Sequence, residues 1–162
     1  MRSTAVLCVA LVFVLTACGS SSKKSASEQQ LQQQADYWAI DQIEKKWHKA
    51  ATDKNVDLMM SLWASDATFN IGTETLEGAK QIRDFFKYDA GPFQAKNDWV
   101  SVTPADKIRI TVSGDKGTIY FNCVYVDRKT NKVASVVGAD QNVQKIDGKW
   151  LIISAASATP TL

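Results

Sequence analysis

IEKKWHKAATDKNVDLMMSLWASDATFNIGTETLEGAKQIRDFF, residues 43–86, carries three one-sided apolar patterns in a row. With Ile40 in front, Ile43, Trp47, Ala50 and Ala51 recur at steps of three and four, one face of a helix. Thr52 to Asn55 is polar and turn-like. Val56, Met59, Met60 and Trp63 then read as a short second helix. Asn55 or Asp57 can cap it, because a short polar side chain accepts from the free amides of a first turn. Ala67 to Ile71 is a β-prone run, residues 72–78 turn the chain, and Ala79, Ile82, Phe85 and Phe86 give the apolar face of a third helix. Each helix is apolar on one side only, so another layer must cover it.

The C-terminal half supplies that layer as strands. Residues 99–103 form a candidate strand stopped by Pro104. Ile108, Ile110 and Val112 alternate with Arg109, Thr111 and Ser113, the period of a half-buried strand. Residues 118–127 follow after a Gly-rich turn, with Ile119, Phe121, Cys123 and Tyr125 on one face. Residues 133–146 and 150–156 are joined by Asp147-Gly148-Lys149, a tight hairpin signal. Helices first and antiparallel strands after make an α+β pattern, in which a strongly curved sheet would wrap the first helix and enclose a cavity.

Upstream, Arg2, the apolar run from Ala5 to Leu15 and a small-residue site make a secretory leader. Leu15-Thr16-Ala17-Cys18 resembles a bacterial lipobox, which implies cleavage before Cys18 and lipid on its sulfur. The chain then divides into residues 1–17 as leader, 18–33 as lipidated cysteine and flexible tether, and 34–162 as the folded domain. The tether has too little apolar content to offset its ordering entropy. The implied location is the bacterial cell envelope, membrane-anchored by lipid and facing outside the cytoplasm. Lys and Arg number 19 against 17 acids, with no basic stripe, which argues against nucleic acid as a partner. With Cys8 in the leader and Cys18 lipidated, Cys123 is the only thiol left; no internal disulfide can form, and burial is its expected state. One histidine and no Cys-x-x-Cys give no metal-ligand spacing, and no motif implies a cofactor.

The helix ending Trp47-His48-Lys49-Ala50, the segment Leu62-Trp63-Ala64-Ser65-Asp66-Ala67-Thr68-Phe69, the run from Gly78 to Phe86 and the late Asp147-Gly148-Lys149-Trp150-Leu151-Ile152 together resemble the nuclear-transport-factor-2-like superfamily. Within it they resemble the SnoaL-like bacterial domains. The resemblance covers about residues 34–157 and implies a cone-shaped α+β fold with an apolar pocket, often dimeric through the sheet. It also implies where enzymatic members keep their chemistry. Their first-helix tyrosine falls on Trp47, whose indole donates a hydrogen bond but is no acid like a phenol. Their base carboxylate falls near Ile71, and a late histidine falls on Ala156. The usual acid and base are therefore missing.

Trp47, Trp63 and Phe86 are candidate pocket residues. Asn122, Asp140 and Asn142 join them if their strand faces line the cone; if those faces point outward, they are solvent or interface polars, and alternation does not decide. Asp140 is then the one candidate base for an isomerase, dehydratase or cyclase. His48 follows Trp47 by about 100° and is expected to leave the apolar face. Trp38 lies off the stripe, at an edge or interface, and Tyr37 and Asp41 near a rim. The reading favoured is a lipid-anchored module that holds a small apolar ligand without catalysis. A divergent enzyme using Asp140 and a dimeric interaction domain without ligand are the alternatives.

Overall fold

The computed structural model describes residues 25–158. The leader, Cys18 and the start of the tether lie outside them. Helix α1 (Ala26–Asp53) opens on a capping box: Ser25 Oγ accepts from the Glu28 N–H, and the Glu28 carboxylate accepts from the Ser25 N–H. That cap is why residues 26–33, expected as tether, are helical. Lys54 ends α1 in the left-handed region at φ 55°, its N–H bonded to the Ala50 and Ala51 carbonyls.

Helix α2 (Val56–Met60) is capped by Asn55, whose Oδ1 accepts from the Leu58 N–H at 2.8 Å. It is shorter than the periodicity suggests. The Ser61 and Leu62 N–H groups bond back to Asp57 and Met59 and close it, so Trp63 opens strand β1 (Trp63–Ile71) instead. Residues 72–78 hold more than a turn. Gly72 reverses the chain at φ 60°, and β2 (Glu74–Glu77) returns antiparallel along β1. Then come α3 (Gly78–Tyr88), a single 3-10 turn (Gly91–Phe93), and strands β3 (Trp99–Ser101), β4 (Ile108–Ser113), β5 (Lys116–Asp127), β6 (Lys132–Ile146) and β7 (Lys149–Ala158).

The strands form one sheet in the order β2-β1-β7-β6-β5-β3, with β4 also on β5. All pairs are antiparallel except β1 with β7. Register shifts at Tyr125/Val126 and Asn142/Val143 bend the long strands, since an extra residue on one side of a pair turns it. The curved, unclosed sheet presents its concave face to α1. This is the expected α+β cone. Ile40, Ile43, Trp47, Ala50 and Ala51 are all buried against it, as their spacing requires. The Trp47 ring meets those of Trp63, Phe86 and Phe121 at centroid distances of 6.0, 5.6 and 5.8 Å.

A polar tie fixes the other end of the helix. Asp36, buried on α1, accepts from Lys145 Nζ at 2.7 Å and Trp150 Nε1 at 2.9 Å through one oxygen, and from Gln32 through the other. Burial alone would raise its pKa; the bonds from Lys145, Trp150 and Gln32 outweigh that and hold the carboxyl below its ordinary value. A folded pKa below the unfolded one contributes stability above the unfolded value, about 3.9, and loses it as pH falls through the folded value. Asp36→Asn should therefore lower the urea midpoint at neutral pH, and its deficit against wild type should shrink as the pH drops below about 4. A deficit that does not change with pH would show that the tie is not ionic.

Candidate functional site

The inward-facing side chains of β6 and β7 here are small, Ala139 and Ala155, and Gly138 and Ala156 beside them add only to the lining without facing inward. Opposite stand the aromatic rings of α1, α3, the 3-10 turn and β3. Small residues facing large ones leave a cavity of about 440 Å³, within the range of small-ligand sites. Trp47, Phe69, Ile71, Phe85, Phe86, Phe93 and Trp99 supply most of its wall. Gly91 is placed by close approach, since a Cβ there would stand 2.7 Å from the Trp99 ring.

Polar atoms in the wall come from few places. Ser135 and Ser157 lie on the β6 and β7 side. Deeper, the Trp47 indole, the Cys123 thiol and the Tyr125 hydroxyl lie beside one another. Burial raises the Cys123 thiol to about 12 and the Tyr125 phenol well above its usual value. Both groups keep their protons at neutral pH.

The sequence-level candidates divide. Trp47 and Phe86 line the cavity, and so does Ile71. Trp63 does not. It packs behind the wall, 5.3 Å from Phe69 and 6.1 Å from Phe86 between ring centroids, because it starts β1 rather than ending α2. Asn122, Asp140 and Asn142 are corrected more strongly. On β5 the inward face is Ile119, Phe121, Cys123 and Tyr125, which puts Asn122 on the convex side, where its Oδ1 accepts from the Tyr120 hydroxyl at 2.6 Å. Asp140 pairs with Tyr120 in register and is exposed; Asn142 is exposed and donates to Ser154 Oγ. None of the three reaches the cavity. Tyr37 and Asp41 are not in its wall either. Cys123, Tyr125, Ser135 and Ser157 were missed as site residues. Cys123 and Tyr125 belonged to a face already legible as apolar, and a Trp, Tyr and Cys brought together on that face was the available signal. Gln141 and Trp63 Nε1 are also buried with no hydrogen-bond partner among the described residues.

His48 is the clearest reversal. It is 0 % exposed, because β3 and the following loop pack over that flank of α1. Its Nδ1 bonds to Ser101 Oγ, and its ring lies 5.4 Å from that of Phe121. Nε2 stands 3.2 Å from Glu44 Oε1 but off the N–H axis, an electrostatic contact rather than an aligned hydrogen bond. Glu44 also accepts from the Ala105 N–H, and Thr52 Oγ1 from the Ser101 N–H. Burial pushes the Glu44 carboxyl up, but His48 and Ala105 outweigh it and keep it below its usual value. Glu44, His48 and Thr52 stand four residues apart, one polar seam outside the cavity that ties α1 to β3 and the loop after it.

Lys54 closes the cavity's end. Its ammonium donates to the carbonyls of Pro92, Gln94 and Asn97, at 3.2, 2.9 and 2.6 Å. This pins the segment carrying Pro92 and Phe93. Lys54→Met should leave the segment at residues 91–97 the first site of limited proteolysis, with little change in far-ultraviolet circular dichroism. Cys123 should react with a disulfide reagent at pH 8 far more slowly than an exposed thiol, given its burial and raised pKa; prompt labelling of native protein would contradict that burial.

The family described as the SnoaL-like domain matches residues 32–155. No curated protein matches the sequence. Solved structures share the fold at low identity. A nuclear-transport-factor-2-like protein with a cystatin-like fold from Novosphingobium aromaticivorans superposes with a TM-score of 0.71 at 16% identity, over 85% of this chain and 90% of its own. A hexachlorocyclohexane dehydrochlorinase from Novosphingobium barchaimii gives 0.64 at 17%, over 82% and 91%. A protein of unknown function from Nostoc punctiforme gives 0.65 at 19%, over 79% and 94%.

Proposed function

The chain belongs to the SnoaL-like family, and on that premise we propose that it is a lipid-anchored, extracytoplasmic module that holds a neutral apolar molecule in its cavity and does no chemistry on it. The observation that carries this reading is the wall itself. Among the described residues lining the cavity there is no carboxylate, imidazole, amine or guanidinium. General acid–base catalysis needs a group that exchanges a proton near neutral pH, and Cys123 and Tyr125 are both pushed away from that range. The alternative base, Asp140, is exposed on the convex face. A charged ligand finds no partner in the wall, and burying an unpaired ion is costly. The ligand is therefore an uncharged ring compound or chain.

Attachment to the membrane rests on Leu15-Thr16-Ala17-Cys18. No helix among the described residues is long and apolar enough to cross a membrane. Each buried methylene of an attached lipid contributes roughly 0.8 kcal/mol to holding the chain at the bilayer. The convex face, with Asp140 and Asn142, is the surface offered to a second copy. Cys18→Ser should move the chain from the membrane fraction to the soluble one.

Binding is read with Nile red, a neutral apolar dye. Its emission should rise with the purified protein and be competed by uncharged ring compounds but not by their carboxylate analogues. Ala155→Leu, which fills the cavity, should weaken binding about tenfold or more, the equivalent of 1.4 kcal/mol. Turnover of isomerisable or dehydratable substrates by wild-type protein would overturn the non-catalytic reading.

A further inference from the structure

Six large apolar side chains are exposed among the described residues, and three of them, Leu31, Tyr37 and Trp38, crowd into one stretch of α1. That stretch lies near the start of the helix, next to the tether. Leu31 is 66% exposed and Trp38 63%. Together with Ala35, also exposed, they are spaced by four and three residues, one face of a helix. Ile40, Ile43 and Trp47 hold the opposite face in the core. Residues 26–35 are exposed on every side, so the first turns of α1 stand clear of the sheet. A single exposed Leu or Trp is ordinary; a paired stripe on a projecting helix is a surface that something covers.

We infer that the Leu31–Ala35–Trp38 face of α1 lies on the lipid surface that holds Cys18, seating the domain on the bilayer in one orientation. The inference rests on the lipid-anchor reading above. The chain from Cys18 to Ser25 is seven residues, which reach at most about 25 Å when extended. Trp38 lies about 18 Å further along the helix axis from Ala26. The helix therefore starts within reach of the headgroups and is long enough to lie along them. Indole rings favour this zone, having an apolar body and a polar N–H. Helices that lie in the interface bury one apolar face only. The anchor makes the contact intramolecular, so a weak surface suffices.

Charge does not drive the contact. Lys45 and Lys49 continue the same face, but Lys45 is paired with Asp41 and Lys49 with Asp53. The seat is apolar, and salt should leave it unchanged.

The test uses the full lipidated chain in phosphatidylcholine–phosphatidylglycerol vesicles brominated near the carbonyl end of the acyl chains. Part of the tryptophan emission should be quenched, equally at low and high salt. That part should vanish in Trp38→Phe and shrink in Leu31→Ser, while both variants still float with the vesicles and keep wild-type circular dichroism. Unquenched emission from a floating wild-type chain, or quenching that survives Trp38→Phe, overturns the seat and leaves the anchor standing. Shielding of Trp38 from aqueous iodide without any lipid overturns it in favour of a second copy. A wild-type chain that does not float overturns the anchor and the seat with it.

Discussion

The apolar stripe from Ile40 to Ala51 on α1 needs a surface curved enough to cover it, and Trp47 is where the cover is made. Its ring touches aromatic residues from β1, α3 and β5, and its N–H joins the polar cluster on β5. Helix, sheet and cavity thus share one side chain. Truncating it removes packing on three sides, the kind of change that costs about 3–5 kcal/mol in a core. The cavity follows from the same arrangement. Aromatic rings from α1, α3, the 3-10 turn and strands β1 and β3 gather on one side, and β6 and β7 opposite offer alanine, so the two sides meet without filling the space between them.

Polar groups are kept at the flanks of α1. Asp36 ties it to the β6–β7 hairpin, Glu44 and His48 to the β3 region, and Lys54 to the loop at the cavity's end. Each is a long-range contact made by a charged or titratable side chain that the apolar stripe does not account for. Their work is positional. They let the wall of the cavity remain free of charged side chains while α1 stays locked in register.

The helix faces, the strand alternation and the α+β order were legible because each has a local period that residues 40–86 and 108–156 follow closely. What was not legible depended on contacts distant in sequence. The two faces of β5 alternate equally well whichever is inside; Ile119, Phe121, Cys123 and Tyr125 won because α1 offers Ile40 and Trp47 to be covered. Asn122, Asp140 and Asn142 then had to face outward together, since β5 and β6 are paired in register. His48 left the helix stripe as geometry requires but met β3, a three-residue strand that local pattern cannot place. Trp63 fitted the helical period of α2 and was taken by β1 because the helix closed at Ser61.

The parallel pairing of β1 with β7 ties the earliest strand to the last one. A chain that emerges from its N-terminus can make α1 and the β1–β2 hairpin early, but β1 has no neighbour on its other edge until residues 149–158 arrive. Contacts this distant in sequence slow folding and leave apolar surface open meanwhile. The domain therefore has no stable half. It closes only after nearly all of the chain is free to fold, and until then Trp63, Phe69 and their neighbours stay uncovered.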